Sequence, residues 1–290
     1  VGKSALAITL ARELAGDVVN ADSMQLYRGM DIGTAKLTPA ARGGVIHHLL
    51  DIWPVTREAS VAVYQELARS IIDDLSRHGR ATVLVGGSGL YVRAALDQLE
   101  FPGTDSALRS RLEAEAARLP AGELHARLAA RDPAAAAVIL PGNIRRIVRA
   151  LEVIELTGRQ FTGVLPQPRY VRPALQIGLR LDRGELDRRI GERVEAMWAA
   201  GFVAEVERLV GEGLRRGRTA SRALGYAQVL EFLDGRCSED EARAATVSAT
   251  RRFARRQQRW FARDRRIQWL EARRGDLPAA ALALAAAATS

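Results

Sequence analysis

Short apolar stretches that end in polar or glycine-rich turns and pass into helical patterns recur along the first hundred residues. Gly2-Lys3-Ser4 opens a stretch in which Leu6, Leu10 and Leu14 fall every four residues, the period of a helix with one buried face. Val18-Val19 leads into Asn20-Ala21-Asp22-Ser23, and the apolar run at 81–85 leads into Gly86-Gly87-Ser88-Gly89. A helix over 60–77, closed by Gly79, lies between them. Strand, turn, helix and strand in alternation predict an α/β fold with a parallel sheet. With the phosphate-loop pattern described below, the expected fold is a P-loop NTPase-like sheet core.

From Asp105 the texture changes. Leu108, Leu112, Leu119, Leu124 and Leu128 stand among Ala, Arg and Glu, broken at Pro120 and Asp132-Pro133. These are short helices with no strand between them, so 105–142 reads as a small all-helical insertion. The core is then split into 1–104 and 143–290. Asn143 can cap a helix running to Leu156 and ended by Gly158, and a proline-bearing loop follows at 163–172. Strand character returns at 175–181, Asp182 caps a helix to about 200, and Gly201 separates it from another. A long helix over 239–264 precedes a strand at 267–270. The apolar 278–287 reads as a last helix or a frayed end. No internal repeat is present.

Composition narrows the class. Of 290 residues 48% are hydrophobic and 27% charged, which excludes disordered and collagenous chains. No apolar run reaches the ~18 residues of a membrane helix, so no membrane association is expected. Cys237 stands alone, which fits a reducing compartment and a cytoplasmic location. The net charge of +9 favours phosphate-rich partners. Only Lys3 and Lys36 of the 43 basic residues are lysines. In a chain that prefers arginine, each marks a place where a compact ammonium is needed, unless base composition alone is at work.

Gly2-Lys3-Ser4 ahead of a helix matches the second half of G-x-x-x-x-G-K-[ST]. Backbone N–H groups at a helix start face anionic oxygens, the lysine neutralises phosphate, and the serine hydroxyl can ligate Mg²⁺. The first glycine and its strand are absent from the sequence, which reads as truncated at its start. An ordinary frayed helix start is the alternative. Asp22 ends a strand, where a carboxylate can take a proton or meet a metal; a turn or capping residue would look the same. Ser88 offers a hydroxyl within a glycine turn that lets backbone or ligand approach closely, or forms a plain strand-to-helix turn.

Two arginine clusters suit a nucleic-acid backbone. Arg145, Arg146 and Arg149 share a helix with Ile147, Val148, Leu151 and Ile154. Arg252, Arg256, Arg259, Arg263 and Arg266 step by four and three beside Phe253, Trp260 and Phe261. A solvated face is the alternative, but Asp264 is the only acid between 251 and 266. His47-His48 does not make a metal site, because neighbours on an extended segment point to opposite sides. His78 reads as a helix-end residue and His125 as a surface residue.

Further runs complete a family pattern. They are Asn20 to Tyr27, Gly29-Met30-Asp31-Ile32-Gly33-Thr34-Ala35-Lys36, His47 to Ile52, Leu84 to Tyr91 and Arg145 to Val153. Gly201-Phe202 with Glu205-Val206, Leu224-Gly225-Tyr226, Arg255-Arg256-Gln257 and Trp260-Phe261 follow in order. Over nearly its whole length the chain resembles the bacterial tRNA dimethylallyltransferases, also called tRNA isopentenylpyrophosphate transferases. The resemblance implies transfer of a dimethylallyl group from dimethylallyl diphosphate to N6 of adenosine 37, beside the anticodon, with release of diphosphate. It implies a P-loop core whose helical insertion grips the anticodon arm, Mg²⁺ as cofactor, and a monomer.

By position, the resemblance gives Gly2, Lys3 and Ser4 the diphosphate, Ser4 also the Mg²⁺, and Asp22 the role of general base. Ser88 and Arg109 would stand beside the reacting groups. Asp22, Ser23, Met24, Gln25, Arg145, Arg146, Arg149, Arg222, Gly225, Tyr226, Arg255, Arg256, Gln257 and Trp260 would contact tRNA. Ser88 stands where threonine is common, and Ala227 where a basic residue often follows Gly-Tyr. Two other readings compete: a P-loop nucleotide kinase or NTPase, which would turn over ATP without tRNA, and a non-catalytic RNA-binding protein, which would not need Lys3, Ser4 and Asp22 together.

Overall fold

The computed structural model describes residues 2–161, 163 and 165–289. These fall into two compact units, one of residues 1–97 with 170–290 and one of residues 98–169.

The first unit opens with α1 (Lys3–Glu13), entered from Gly2 at a left-handed φ of 88°. β1 (Asp17–Asn20) follows and is buried along its whole length. It is the middle of a three-stranded parallel sheet, flanked by β2 (His47–His48) and β3 (Thr82–Val85). A strand covered on both faces explains the unbroken Val18-Val19 pair, both 0% exposed. The buried carboxylate of Asp17 accepts from His48 Nε2 at 2.8 Å and from Arg80, fastening β2 to β1. His47 Nδ1 instead donates to the Val45 carbonyl at 2.9 Å, so the adjacent histidines serve different partners. α2 (Val61–Arg77) is capped by Ser60, whose hydroxyl accepts from Val63 N–H, and it crosses over between β1 and β3 as a parallel sheet requires. After β3 the glycine turn enters α3 (Gly89–Leu96).

The second unit is helical: α4 (Ser106–Arg118), α5 (Glu123–Arg131), α6 (Pro133–Val138) and α7 (Ile144–Thr157). Its core joins Leu112, Leu124, Leu128 and Ile139 to Ile147, Val148 and Leu151. The sequence boundary at 142 is therefore corrected to about 169. The apolar face of α7 covers α4 and α5, so α7 is part of this unit and not of the sheet core. Asn143 caps α7 by accepting from Arg146 N–H, and Gly158 closes it at φ 66°. His125 is also corrected from surface to half-buried: its Nε2 lies 3.1 and 2.8 Å from the carbonyls of Ala136 and Ile139.

The chain returns through β4 (Gln176–Arg180), α8 (Arg183–Ala199), α9 (Phe202–Gly211), α10 (Tyr226–Leu233), α11 (Glu239–Phe261), β5 (Ile267–Glu271) and α12 (Leu277–Thr289). β4 and β5 pair in parallel as a second sheet. Asp182 caps α8 through Glu185 N–H, as its position predicts. The fold class is the expected one, parallel α/β with a helical unit. Among the described residues no helix is long and apolar enough to cross a membrane.

Candidate active site

The carboxyl ends of β1 and β3 carry the chemistry. Asn20, at the end of β1, shapes the exit: its Oδ1 accepts from Asp22 N–H at 2.9 Å, and its Nδ2 donates to the carbonyls of Asp22 and Leu49 at 3.0 and 2.9 Å. Asp22 then folds back, one carboxylate oxygen accepting from Met24 N–H at 3.0 Å. Among the described residues its second oxygen receives no hydrogen bond. That leaves a half-buried carboxylate fixed in direction with one oxygen open.

β3 delivers the glycine turn to the same place. Ser88 Oγ accepts from Ser23 N–H at 3.2 Å and lies 3.2 Å from the Ser23 hydroxyl. All three glycines of the turn are crowded: a Cβ on Gly86 would stand 2.2 Å from the Ala21 carbonyl oxygen. A Cβ on Gly87 would stand 2.4 Å from Gln257 Nε2 and 3.2 Å from Lys3 Nζ, and one on Gly89 would stand 2.1 Å from Trp260 Nε1. Gln257 also donates to the Gly87 carbonyl at 2.8 Å. Lys3 from α1, Asp22 and Ser23 after β1, Ser88 after β3, and Gln257 and Trp260 from α11 thus converge within one compact unit.

The electrostatics are those of an anion site. Lys3 keeps solvent-accessible area, but protein flanks its ammonium, and the lost hydration pulls its pKa below the ordinary lysine value. Asp22 opposes that shift and Arg193 of α8 adds to it. Arg193 is itself pulled down by lost hydration, against the attraction of Asp22. Two cations close enough to disfavour one another, beside a single carboxylate, are best stabilised by an anion of higher charge. Nothing local singles out Arg193 in the sequence: it is one arginine among many, and only the placement of α8 reveals it. Tyr91 belongs to the same neighbourhood. Burial raises its pKa, the Asp22 charge adds to the rise, and its ring lies 4.7 Å from that of Tyr64.

Other expected site residues sort by accessibility. Ser4 is exposed in the first turn of α1, and Ser23, Met24 and Gln25 are half-buried. Arg145, Arg146, Arg222, Arg255 and Arg256 are exposed, and Trp260 is 38% exposed. Among the described residues Arg255, Arg256 and Arg259 form no ion pair. Two expectations need correction. Gly225 is buried and Tyr226 is 0% exposed, its hydroxyl donating to Glu205 at 2.6 Å, so neither presents a surface to RNA. Arg266 lies beyond the end of α11 and leaves the stripe: it pairs with Asp97 at 2.7 Å and Asp264 at 2.6 Å and covers the Tyr170 ring at 3.9 Å.

In the helical unit, Arg109 and Arg149 share the buried carboxylate of Glu152, at 2.9 and 2.8 Å. Arg149 also donates to the carbonyls of Gly103 and Pro102. Burial pushes Glu152 up, but hydrogen bonds from Arg149, Arg109 and the Asp105 N–H more than reverse it, and its pKa lies below the usual carboxylate range.

Among the described residues no group of three or more His, Cys, Asp or Glu side chains could enclose a metal ion. A divalent ion held by fewer protein groups would complete its shell from phosphate oxygens and water, the usual habit of Mg²⁺, and the exposed Ser4 hydroxyl could supply one ligand.

The sequence model of the IPP transferase family matches residues 25–264. A protein of Salinispora arenicola named tRNA dimethylallyltransferase is 63% identical over 281 residues, covering 97% of this chain and 82% of that protein. One of Streptomyces avermitilis with the same name is 64% identical over 276 residues, covering 95% and 88%. The crystal structure of a full-length tRNA isopentenylpyrophosphate transferase from Bacillus halodurans superposes with a TM-score of 0.72 at 36% identity, covering 99% of this chain and 94% of that one. A eukaryotic dimethylallyltransferase acting on tRNA shares the fold, with a TM-score of 0.80 at 23% identity over 98% of this chain and 75% of that one. By the length and identity of these matches, the chain belongs to the IPP transferase family.

Proposed function

We propose that this chain is a tRNA dimethylallyltransferase, moving the dimethylallyl group of dimethylallyl diphosphate to N6 of the adenosine at tRNA position 37. The observation that carries the reading is the pairing of a two-cation anion site, Lys3 with Arg193, and an open carboxylate oxygen on Asp22.

The diphosphate sits at the start of α1, against its N–H groups and between Lys3 and Arg193. The Ser4 hydroxyl would hold Mg²⁺, which when bound would supply charge neutralisation at the diphosphate. Asp22 accepts the proton from the adenine amine as the N6–C1 bond forms and the C1–O bond to diphosphate breaks. The amine is a poor nucleophile because its lone pair is delocalised into the ring, and a placed base contributes about 10²–10⁴ in rate. Fixed cations at the departing diphosphate supply preorganised stabilisation where charge accumulates. Ser88 fixes the Ser23 backbone beside Asp22.

The exposed Arg145, Arg146, Arg222, Arg255 and Arg256, with the half-exposed Trp260, hold the anticodon arm through phosphate contacts and stacking. Arg109 and Arg149, anchored by Glu152, support the helical unit that carries Arg145 and Arg146. Extruding a loop base costs a few kcal/mol, less than from a duplex, and these contacts offset it. The enzyme works as a monomer in the cytoplasm, where its tRNA substrate is.

Incubation with unmodified tRNA and labelled dimethylallyl diphosphate tests the reading through label recovered in the tRNA. Asp22→Asn should slow single-turnover transfer by about a hundredfold or more while leaving tRNA affinity within a few-fold. Transfer at the wild-type rate would remove Asp22 from the base role. ATP turnover without tRNA would favour a nucleotide kinase instead.

A further inference from the structure

A buried carboxylate far from the site in sequence holds the turn that follows the tRNA-facing segment. Glu205 on α9 is 6% exposed. Its two oxygens accept three consecutive backbone N–H groups, from Asp31 at 3.1 Å, Ile32 at 2.7 Å and Gly33 at 3.3 Å, and the Tyr226 hydroxyl at 2.6 Å. Successive N–H groups converging on one carboxylate form a rigid nest, and charge-assisted bonds of this kind are the strong ones. The fit is tight: a Cβ on Gly33 would stand 2.4 Å from Phe202 and 2.5 Å from Tyr226.

The turn so held reaches the site through one side chain. Gln25 Nε2 donates to the Thr34 carbonyl at 3.1 Å, and the Gln25 carbonyl accepts from Asp51 N–H at 3.2 Å. Lys36 closes the turn from its far end. Its ammonium, 3% exposed, donates to the Tyr27 carbonyl at 2.8 Å and to Asp31 and Asp51 at 2.7 and 2.5 Å. The segment from Asp22 to Gln25 thus lies between the β1 end and a turn pinned by Glu205.

We propose that Glu205 is a positioning residue for tRNA recognition, acting through the Asp31–Gly33 N–H groups and Thr34 on Gln25, and that Tyr226 serves the same clamp from inside the fold. This rests on the proposed function only in taking the 22–25 segment as tRNA-facing. It gives the Leu224-Gly225-Tyr226 run a role that a buried tyrosine can perform.

Three variants of the full chain test it: Tyr226→Phe, Glu205→Gln and Gln25→Ala, with Glu205→Gln also made in the Gln25→Ala background. The readouts are affinity for unmodified tRNA, affinity for dimethylallyl diphosphate, and amide hydrogen exchange at 31–33. Tyr226→Phe keeps the ring against Phe202, at 5.0 Å between centroids, and removes only the hydroxyl. It should weaken tRNA binding about threefold to tenfold, the loss of one charge-assisted bond. Glu205→Gln should weaken it further and speed exchange at 31–33. Both should leave prenyl-donor affinity within about twofold, which a general loss of folded protein would not do. In the Gln25→Ala background Glu205→Gln should add little, because coupled residues are non-additive.

Full additivity, or faster exchange at 31–33 with tRNA affinity unchanged, overturns the inference. If Glu205→Gln fails to fold, Tyr226→Phe carries the test alone. Absence of tRNA binding by the unsubstituted chain would defeat the proposed function as well. Normal binding with an additive cycle would defeat only the clamp.

Discussion

Two arginine-bearing helices look alike in sequence and are employed differently. On α7, Arg149 turns inward: together with Arg109 it neutralises Glu152, whose side chain is 0% exposed, and it ties down the 102–103 backbone. On α11, Arg255, Arg256 and Arg259 stay exposed, and Arg256 lies 5.7 Å from the Phe253 ring. The difference comes from what each helix packs beside. A carboxylate inside an apolar core must be paired, and it recruits the arginines within reach. A surface without carboxylates leaves its cations available to a partner. Arginine counts therefore do not locate a nucleic-acid surface; unpaired, accessible arginines do.

The largest expected effect separates the two helices directly. Replacing Arg252, Arg256 and Arg259 together by alanine should lower tRNA affinity about a hundredfold at moderate salt. For every phosphate left without its arginine, the slope of log K against log salt should fall by about 0.7–0.9, with the melting temperature little changed. An unaltered slope would make α11 a solvated face. Arg149→Ala should do the reverse. Breaking a buried pair costs about 3–5 kcal/mol, and with Arg109 still in place a loss of about 2 kcal/mol is expected in chemical denaturation of the helical unit. A change in tRNA affinity with stability intact would erase the distinction between the helices.

Acid titration gives a smaller effect. The folded pKa of Glu152 is depressed, so its contribution to stability is complete above the unfolded value of about 4.3 and is lost as pH falls through the folded value. Hydrogen exchange in α4 and α7 should therefore accelerate below about pH 4, and Glu152→Gln should flatten that dependence. The smallest effect belongs to Lys36→Arg, expected to cost about 1–2 kcal/mol in a melt because a planar fork overfills a site shaped for an ammonium.

What could be read in the sequence was what is local. Ser60, Asn143 and Asp182 mark helix starts because a cap acts within three residues, and Gly158 marks an end for the same reason. Lys3 at the start of α1, the strand-end carboxylate of Asp22 and the glycine turn converge as a parallel sheet brings strand ends together. Long-range pairings left no such trace. The edge of the helical unit was misplaced because the apolar face of α7 fits a helical neighbour or a sheet equally well. Arg193, Glu205 and the inward turn of Tyr226 depend on residues tens to more than 170 positions away, and no period or cap encodes them. Arg266 looked like the next step of a stripe, but the helix had already ended at Phe261.

The buried ammonium of Lys36 has a consequence for how such a gene can drift. A lysine codon becomes an arginine codon by one base change, and 41 of the 43 basic residues of this chain are arginines. At Lys36 three oxygens, from Tyr27, Asp31 and Asp51, close around a single nitrogen whose own side chain is 3% exposed. Substitution there meets a geometric filter, and the filter sits on the turn that follows the 22–25 segment. In a saturation library selected for function, position 36 should tolerate arginine less well than surface arginines tolerate lysine, and should reject neutral residues most firmly.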